Sequence, residues 1–380
     1  MSNKSIVIIH FLPIELFPPA LNFINAASKK KEFQGEITVF STKKAHSQFQ
    51  YFNKNVRLIR PYEISLNNIK LIKLMKYVVI YGRITLYLLI KRPKTVVYYE
   101  TFSALPVILY FYLSRQSRKP LIYIHCHELV TLIELSKGRW FYKNINRLEQ
   151  KIYNHAKWIS HTNNKRLDIF SEQYGLDKKN EKLNILPNYP PSLWIKRTKY
   201  NEENKKNKII KLVHIGALSI KGMYFENVLE WFGNKPEFTI DFYSHNFTNE
   251  IKALISSYGN CSINGSIAYN DIPSLKGFYD VGLVLYNGVS LNFTYNAPNK
   301  IFEYLALDLD VWCSNKLITS SDYVRLDCYP KMIMVDYENL EAFDVDKALD
   351  TSGLEYVPSP YVCEPVYEKF LSAINENSNT

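Results

Sequence analysis

Val281-Gly-Leu-Val-Leu-Tyr286, Asn287-Gly-Val-Ser-Leu-Asn-Phe-Thr-Tyr-Asn296 and Ala297-Pro-Asn-Lys-Ile-Phe-Glu303 follow one another without a break. The first is a continuous apolar run, the pattern of a strand buried on both faces of a parallel sheet. The second is a polar loop. The third opens a helix at Pro298-Asn-Lys. A helix that starts here presents unpaired backbone N–H groups and a partial positive charge, which suit a diphosphate. Lys300 adds a full positive charge to the first turn. That opposes the helix dipole, so the side chain is expected to serve a ligand. Glu303, one turn further in, can accept hydrogen bonds from a ribose or sugar diol.

The strand–helix alternation extends outward from this segment. Upstream in the same half, Ile209–Ile215, Phe238–Tyr243 and Cys261–Asn264 read as strands, with helices over Tyr224–Phe232, Asn249–Ser257 and Ile272–Lys276. Downstream, Asp310–Cys313 and Met332–Val335 are strands and Val366–Ala373 is a helix. The first half repeats the pattern. Its strands are Ser5–His10, Glu36–Ser41, Val56–Arg60, Thr95–Tyr99, Leu121–His125, Trp158–His161 and Leu183–Leu186. Its helices are Pro18–Lys31, Ile69–Lys91, Ala104–Ser114, Gly138–His155 and Lys165–Tyr174. Between the halves, Pro190-Pro191 and the polar run Tyr200–Lys208 have the composition of a linker. The expected organisation is a domain over 1–190, a linker over 191–208, a domain over 209–360, and a C-terminal helix and tail over 361–380 packing back on the first domain. The fold class is α/β, with two Rossmann-like doubly wound domains facing across a cleft.

The chain has 380 residues, 47% of them hydrophobic and 22% charged, enough to bury a core in each half. The net charge of +11 is unevenly placed. Residues 1–190 carry 30 Lys and Arg against 12 Asp and Glu, a balance of +18; residues 191–380 carry 17 against 24, a balance of −7. The basic half is expected to meet something anionic. Lys70–Lys94 interleaves Lys and Arg with Leu, Val, Ile and Tyr, as in a basic amphipathic helix on an anionic membrane or a core-packed helix with solvated lysines. Ala104–Leu113 is apolar all round and expected to be buried. No apolar run is long enough to span a bilayer, and Ser5–Ile9 is too short for a signal peptide. The five cysteines have no CxxC spacing, so neither a zinc site nor a disulfide framework is supported, and free thiols fit a reducing cytoplasm. GxGxxG and Walker sequences are absent, as is any module for nucleic acid.

Pro298-Asn-Lys-Ile-Phe-Glu-Tyr-Leu-Ala306 after the strand Val281–Tyr286 resembles the C-terminal motif of glycosyltransferase family 4 and its relatives of the GT-B type. The resemblance implies that Glu303 binds the nucleotide ribose and that Ala297, Pro298, Asn299 and Lys300 face the donor phosphates and sugar. The family's fuller pattern is Glu-x7-Glu, and its first position falls here on Tyr295. Val213-His-Ile-Gly216-Ala-Leu-Ser219-Ile-Lys221-Gly222 is similar to the family's first C-terminal strand and turn. That similarity implies that Gly216, Ser219 and Lys221 meet the donor, with Lys221 and Lys300 offsetting charge on the leaving diphosphate without a metal. Leu121-Ile-Tyr-Ile-His-Cys-His127-Glu128 matches a His-Glu pair that lies, in the family, at the cleft floor near the reacting carbon. It implies that His127 orients the donor sugar or touches the acceptor, with Glu128 beside it or capping the next helix. Cys261–Pro273, with Gly265 and Ile267, resembles the segment that lies against the nucleobase. The glycine-rich loop common after the first strand is replaced by Phe11-Leu-Pro-Ile-Glu-Leu-Phe17.

Taken together these matches imply a retaining glycosyltransferase that uses a UDP- or GDP-sugar, with no metal and no other cofactor. The expected catalytic residues are His127, Lys221 and Glu303. The implied acceptor is a glycan or lipid-linked glycan of surface polysaccharide synthesis, met at the inner face of the cell membrane; nucleic acid is not an expected partner. A non-hydrolysing sugar-nucleotide 2-epimerase of the same fold and an inactive binding subunit remain alternatives.

Overall fold

Strands that are apolar on both faces need helices on both sides, and the computed structural model shows two parallel sheets built that way. It describes residues 5–33, 36–43, 53–61, 70–138, 140–195 and 209–379. The chain divides into two compact units, Met1–Pro187 with Glu364–Thr380, and Asn188–Cys363.

The first unit holds β1 (Ile6–His10), β2 (Ile37–Ser41), β3 (Val56–Ile59), β4 (Thr95–Tyr99), β5 (Leu121–Cys126), β6 (Trp158–His161) and β7 (Leu183–Ile185). Their order is β3-β2-β1-β4-β5-β6-β7, all parallel. The register pairs His10 with Tyr99 and Tyr99 with His125, so three ring-bearing residues lie side by side near the C-terminal ends of neighbouring strands. The helices are α1 (Pro18–Lys29), α2 (Lys70–Lys91), α3 (Glu100–Leu113), α4 (Leu132–Lys137), α5 (Trp140–Tyr153) and α6 (Asn164–Tyr174). The helix expected over 138–155 is α5, and a short helix that was not expected, α4, precedes it. Thr131 and Glu134 form a capping box that starts α4 early, and α4 ends at Gly138. The N-cap of α4 is Thr131, not Glu128. The apolar stretch of α3 is not wholly buried either, since Leu109, Tyr112 and Leu113 are exposed.

The second unit holds β8 (Ile210–Ile215), β9 (Phe238–Tyr243), β10 (Cys261–Ile263), β11 (Val281–Val284) and β12 (Asp310–Ser314), then β13 (Cys328–Tyr329), β14 (Met332–Val335) and β15 (Glu355–Tyr356). The main sheet runs β10-β9-β8-β11-β12-β14, and β13 pairs with β15 alone. Around it lie α7 (Phe225–Phe232), α8 (Asn249–Ser256), α9 (Leu291–Thr294), α10 (Asn299–Ala306) and α11 (Val345–Leu349). The segment after Asn188 is no linker as far as Ile195. Tyr189 packs its ring 4.6 Å from Phe302, and buried Trp194 packs 4.8 Å from Tyr269. The rest of the expected linker, 196–208, lies outside the described residues.

The last helix, α12 (Cys363–Asn379), packs on the first unit. Phe370 meets Phe23 and Trp158, each at 4.9 Å between rings, and the Tyr367 hydroxyl donates to Pro19 O at 2.8 Å. All five cysteines are free, and no helix among the described residues is long and apolar enough to cross a membrane.

Candidate active site

In the second unit the helix α10 is keyed onto the sheet by one side chain. Tyr304 packs over Gly282 of β11, and its hydroxyl accepts the Ile215 N–H at 2.8 Å. This sets the first turn of α10 beside the turn that ends β8. There Gly216 adopts φ +145, a conformation that side chains rarely take. A Cβ at Gly216 would lie 3.4 Å from Cε of Lys300, so the lysine stem crosses this turn. Lys300 Nζ then donates to Glu303 Oε2 at 2.5 Å, and Asn299 Nδ2 donates to Glu303 Oε1 at 2.5 Å. Glu303 is only 1% exposed, and both of its oxygens are held by its own helix. Gly216, Asn299, Lys300 and Glu303 therefore form one group. Ala297 is buried and Pro298 precedes the helix, so both shape the entry of the chain rather than offer polar side chains.

The loops beside this group are tied to one another. Asn246, after β9, accepts the Leu218 N–H at 2.9 Å on Oδ1 and returns Nδ2 to Leu218 O at 2.8 Å. Ser244 Oγ donates to the same Oδ1 at 2.5 Å, and the Ser244 N–H donates to Gly265 O at 2.7 Å. The ends of β8, β9 and β10 are thereby linked in series. Gly265, at φ +72, and the partly buried Ile267 lie on this linked surface. Ser219 Oγ accepts the Gly222 N–H at 3.0 Å, so that hydroxyl is engaged in its own turn. The Lys221 carbonyl accepts from Asn287 at 3.0 Å, while the Lys221 side chain stands exposed. Tyr295 ends the short α9, which Ser290 caps through Phe293 N at 3.2 Å, where only a polar loop was expected. Asn246 was missed in the sequence because a polar residue after a strand is commonplace.

In the first unit His127 is 6% exposed and enclosed by rings. Tyr99 stacks on it at 5.2 Å and Phe17 at 5.8 Å, with His125 edge-on at 4.6 Å and His10 at 6.0 Å. Buried Arg166 donates to His127 O at 2.6 Å and reaches exposed Glu128 at 4.0 Å. Glu100 is the residue that sequence reading missed. It begins α3 at φ +63, a conformation worth about 1–3 kcal/mol of strain outside glycine. Its Oε1 accepts the N–H groups of His127 at 2.5 Å and Glu128 at 3.1 Å, fixing that turn. Burial, reinforced by the Glu128 charge, pushes the Glu100 carboxyl up to about 8. Burial holds His10 down to about 4 and His125 down to about 3, so both imidazoles are neutral at pH 7. Helix α1 opens with Pro18-Pro19, which removes two N–H donors from its first turn.

The sequence reading also passed over two Asp-x-Asp spacings, Asp308–Asp310 and Asp344–Asp346. Each is engaged in structure. Asp308 pairs with Lys276 at 3.0 Å, Asp310 accepts the Lys331 N–H at 2.6 Å, and Asp344 caps α11. Among the described residues no His, Cys, Asp and Glu group has an arrangement able to hold a metal ion.

No family model and no curated protein matches the sequence. Solved structures match along its whole length. A glycosyltransferase from Rickettsia africae ESF-5 aligns at 15% identity and TM-score 0.65, over 99% of this chain and 99% of that one. The lipopolysaccharide outer core galactosyltransferase WaaB, in its apo form, aligns at 10% identity and TM-score 0.63, over 98% and 100%. The chain has the GT-B fold. A third GT-B structure, UDP-GlcNAc 2-epimerase from Neisseria meningitidis bound to UDP-GlcNAc, aligns at 13% identity and TM-score 0.58, over 98% and 100%. In this GT-B chain the Gly216–Glu303 group and the His127 cage belong to different units.

Proposed function

We propose that the chain transfers a sugar, with retention, from a nucleoside-diphosphate sugar to an acceptor hydroxyl. The observation that carries the reading is the Lys300–Glu303 pair laid across the Gly216 turn at the start of α10. Lys300 and the backbone N–H groups at the start of α10 offer a diphosphate both charge and donors. Glu303 offers a ribose diol two acceptor oxygens, the diol taking the place of Asn299. Lys221, exposed in the neighbouring loop, is a second cation for the leaving group. As the bond from the anomeric carbon to the diphosphate breaks, its electron pair goes to the phosphate oxygen. The acceptor hydroxyl adds on the same face and gives up its proton to the departing diphosphate oxygen. His127 orients the sugar or the acceptor, with Glu128 and Tyr295 as further contacts. The acceptor assigned to the first unit is a glycan or lipid-linked glycan of surface polysaccharide synthesis, and the donor is UDP- or GDP-linked. Whole-length likeness to a galactosyltransferase and to an epimerase bound to UDP-GlcNAc supports the nucleotide-sugar assignment.

Glu100 favours a second reading, a sugar-nucleotide 2-epimerase, because an enclosed carboxyl with a raised pKa can hold or release a proton near neutral pH. One assay separates the two. UDP- and GDP-sugars are titrated against wild type and Glu303→Ala, and products are followed by NMR with and without a membrane extract. Transfer needs the extract and retains the anomeric configuration; epimerisation converts the donor with no acceptor. If neither UDP, GDP nor their sugars bind at millimolar concentration, both readings fail.

A further inference from the structure

Among the described residues of the second unit one histidine is buried, His214, two positions before Gly216 on β8. Its Nδ1 lies 3.2 Å from Leu283 O on β11. A carbonyl oxygen only accepts, so the neutral ring carries its proton on Nδ1 and a lone pair on Nε2. That Nε2 is buried and has no hydrogen-bond partner. Buried polar atoms in native folds are nearly always paired, so an unpaired one calls for a reason. Gly216 shows where this atom lies. A Cβ at Gly216 would stand 3.9 Å from His214 Nε2 and 3.4 Å from Lys300 Cε, so imidazole and lysine stem border the same small gap. The glycine keeps the gap open, and its φ of +145 disfavours any side chain there. The gap adjoins the start of α10, where the diphosphate has been assigned.

The surroundings of the ring hold it neutral while the site is empty. From β11 it meets the Leu283 carbonyl, from β9 the Phe242 ring at 6.4 Å, from the turn the Ala217 backbone, and from α10 Lys300. Burial is the largest influence and holds the imidazole down to about 4. The Leu283 and Ala217 backbone groups favour the charged form, and the Lys300 ammonium opposes it. Glu303, the acid of α10, is already taken by Lys300 and Asn299.

We infer that His214 is a proton-accepting contact for the donor: as a nucleoside diphosphate docks at the start of α10, Nε2 takes one proton from solvent and turns the new N–H on a phosphate oxygen through the Gly216 gap. The inference rests on the donor reading and adds a residue and a proton to it. An arriving anion favours the imidazolium directly, and it offsets the Lys300 charge that opposed protonation. Both ring nitrogens are then paired, Nδ1 with Leu283 O and Nε2 with the ligand. A ring that stayed neutral would aim a lone pair at a phosphate oxygen, an arrangement that repels. Binding and protonation are thus linked, each favouring the other by the same factor.

The test is isothermal titration of UDP-glucose and GDP-mannose into the full chain between about pH 5.5 and 8, the span in which a histidine shift is readable. Each titration is run in two buffers of unlike ionisation enthalpy, which counts the protons taken up. The sugar blocks the terminal phosphate, so the ligand itself does not titrate in this range. Wild type is expected to take up a proton on binding and to bind more tightly as pH falls, by at most about tenfold per unit for one proton. His214→Asn keeps a donor for Leu283 O and removes Nε2, so the uptake and the slope should both drop. His214→Gln sets a permanent N–H near the place of Nε2 and should bind without the slope. Nitrogen-15 shifts of the wild-type imidazole need no variant: the ring should pass from the Nδ1–H tautomer to imidazolium on saturation. Equal slope and equal uptake in wild type and His214→Asn overturn the inference and leave the donor reading standing. A saturated ring that stays neutral and accepts a ligand hydroxyl does the same. A wild type that binds neither ligand at any pH instead removes the donor reading, and the inference with it.

Discussion

The ring of Tyr304 lies so close over Gly282 that a Cβ added to that glycine would stand 2.2 Å from the ring's Cγ. The same tyrosine accepts the Ile215 N–H next to the Gly216 turn. One side chain therefore fixes both the height of α10 over the sheet and its distance from β8. Gly282→Ala is expected to destabilise the protein by about 1–3 kcal/mol through overpacking and to lower UDP affinity by moving α10. Tyr304→Phe keeps the ring and removes the acceptor, leaving the Ile215 N–H buried and unpaired for about 1–3 kcal/mol. Urea melts and UDP titrations of both variants check this; wild-type UDP affinity in Gly282→Ala counts against the keying of the site.

Lys300→Met strands the Glu303 carboxylate in a buried place with only Asn299 beside it. Breaking one side of a buried pair costs about 3–5 kcal/mol, and the partial exposure of Lys300 places the loss toward the lower end. Removing both charges in Lys300→Met with Glu303→Gln should recover much of that stability without recovering nucleotide binding. Thermal melts with and without UDP separate the two effects.

Asn246 grips Leu218 by donor and acceptor together, which predicts a graded series. Asn246→Ala loses both hydrogen bonds to Leu218 and is expected to weaken UDP binding about thirtyfold, at about 1 kcal/mol per bond. Asn246→Asp keeps the acceptor for the Leu218 N–H and loses the donor, so it should fall between alanine and wild type. Isothermal titration gives the order, and an aspartate no better than alanine removes the clamp argument.

Glu149 is one of two buried carboxyls, with Glu100, that shape the pH response of the first unit. Glu149 accepts from Tyr98 OH at 2.9 Å and Thr101 Oγ1 at 2.7 Å, and burial pushes it up to about 7 from an ordinary value of 4.5. The unfolded chain releases this proton near 4.5 and the folded chain near 7. Stability from this group is therefore complete below 4.5 and declines as pH rises to about 7. His10 and His125 act in the opposite sense: burial lowers them, so their contribution is lost as pH falls below 6.5. Urea midpoints should fall less, or rise more, from pH 4.5 to 7 in Glu149→Gln than in wild type.

What the sequence disclosed follows from what each residue type can be confused with. Val7–Ile9 and Val281–Val284 admit only a buried strand, so the alternation and both sheets were legible. Pro298-Asn-Lys-Ile-Phe-Glu303 was legible as a helix start, but its internal pairing was not, because i, i+3 and i, i+4 contacts form only once rotamers are chosen. Thr131-x-x-Glu134 was a readable capping box that the longer periodicity of 138–155 obscured. Glu100 and Asn246 act through backbone groups far away in sequence, a relation no local pattern encodes. On α2 the charges were visible, and only packing reveals which arc faces outward.

Because α12 completes the first unit while standing last in the chain, the order of synthesis and the order of completion are reversed. A ribosome that has made everything up to Tyr361 has supplied nearly all of the second unit, yet Phe23 and Trp158 still wait for Phe370. Vectorial folding usually finishes the N-terminal domain first. Here the N-terminal domain is sealed only after the second unit has been made, so a product truncated before α12 is missing part of its first half.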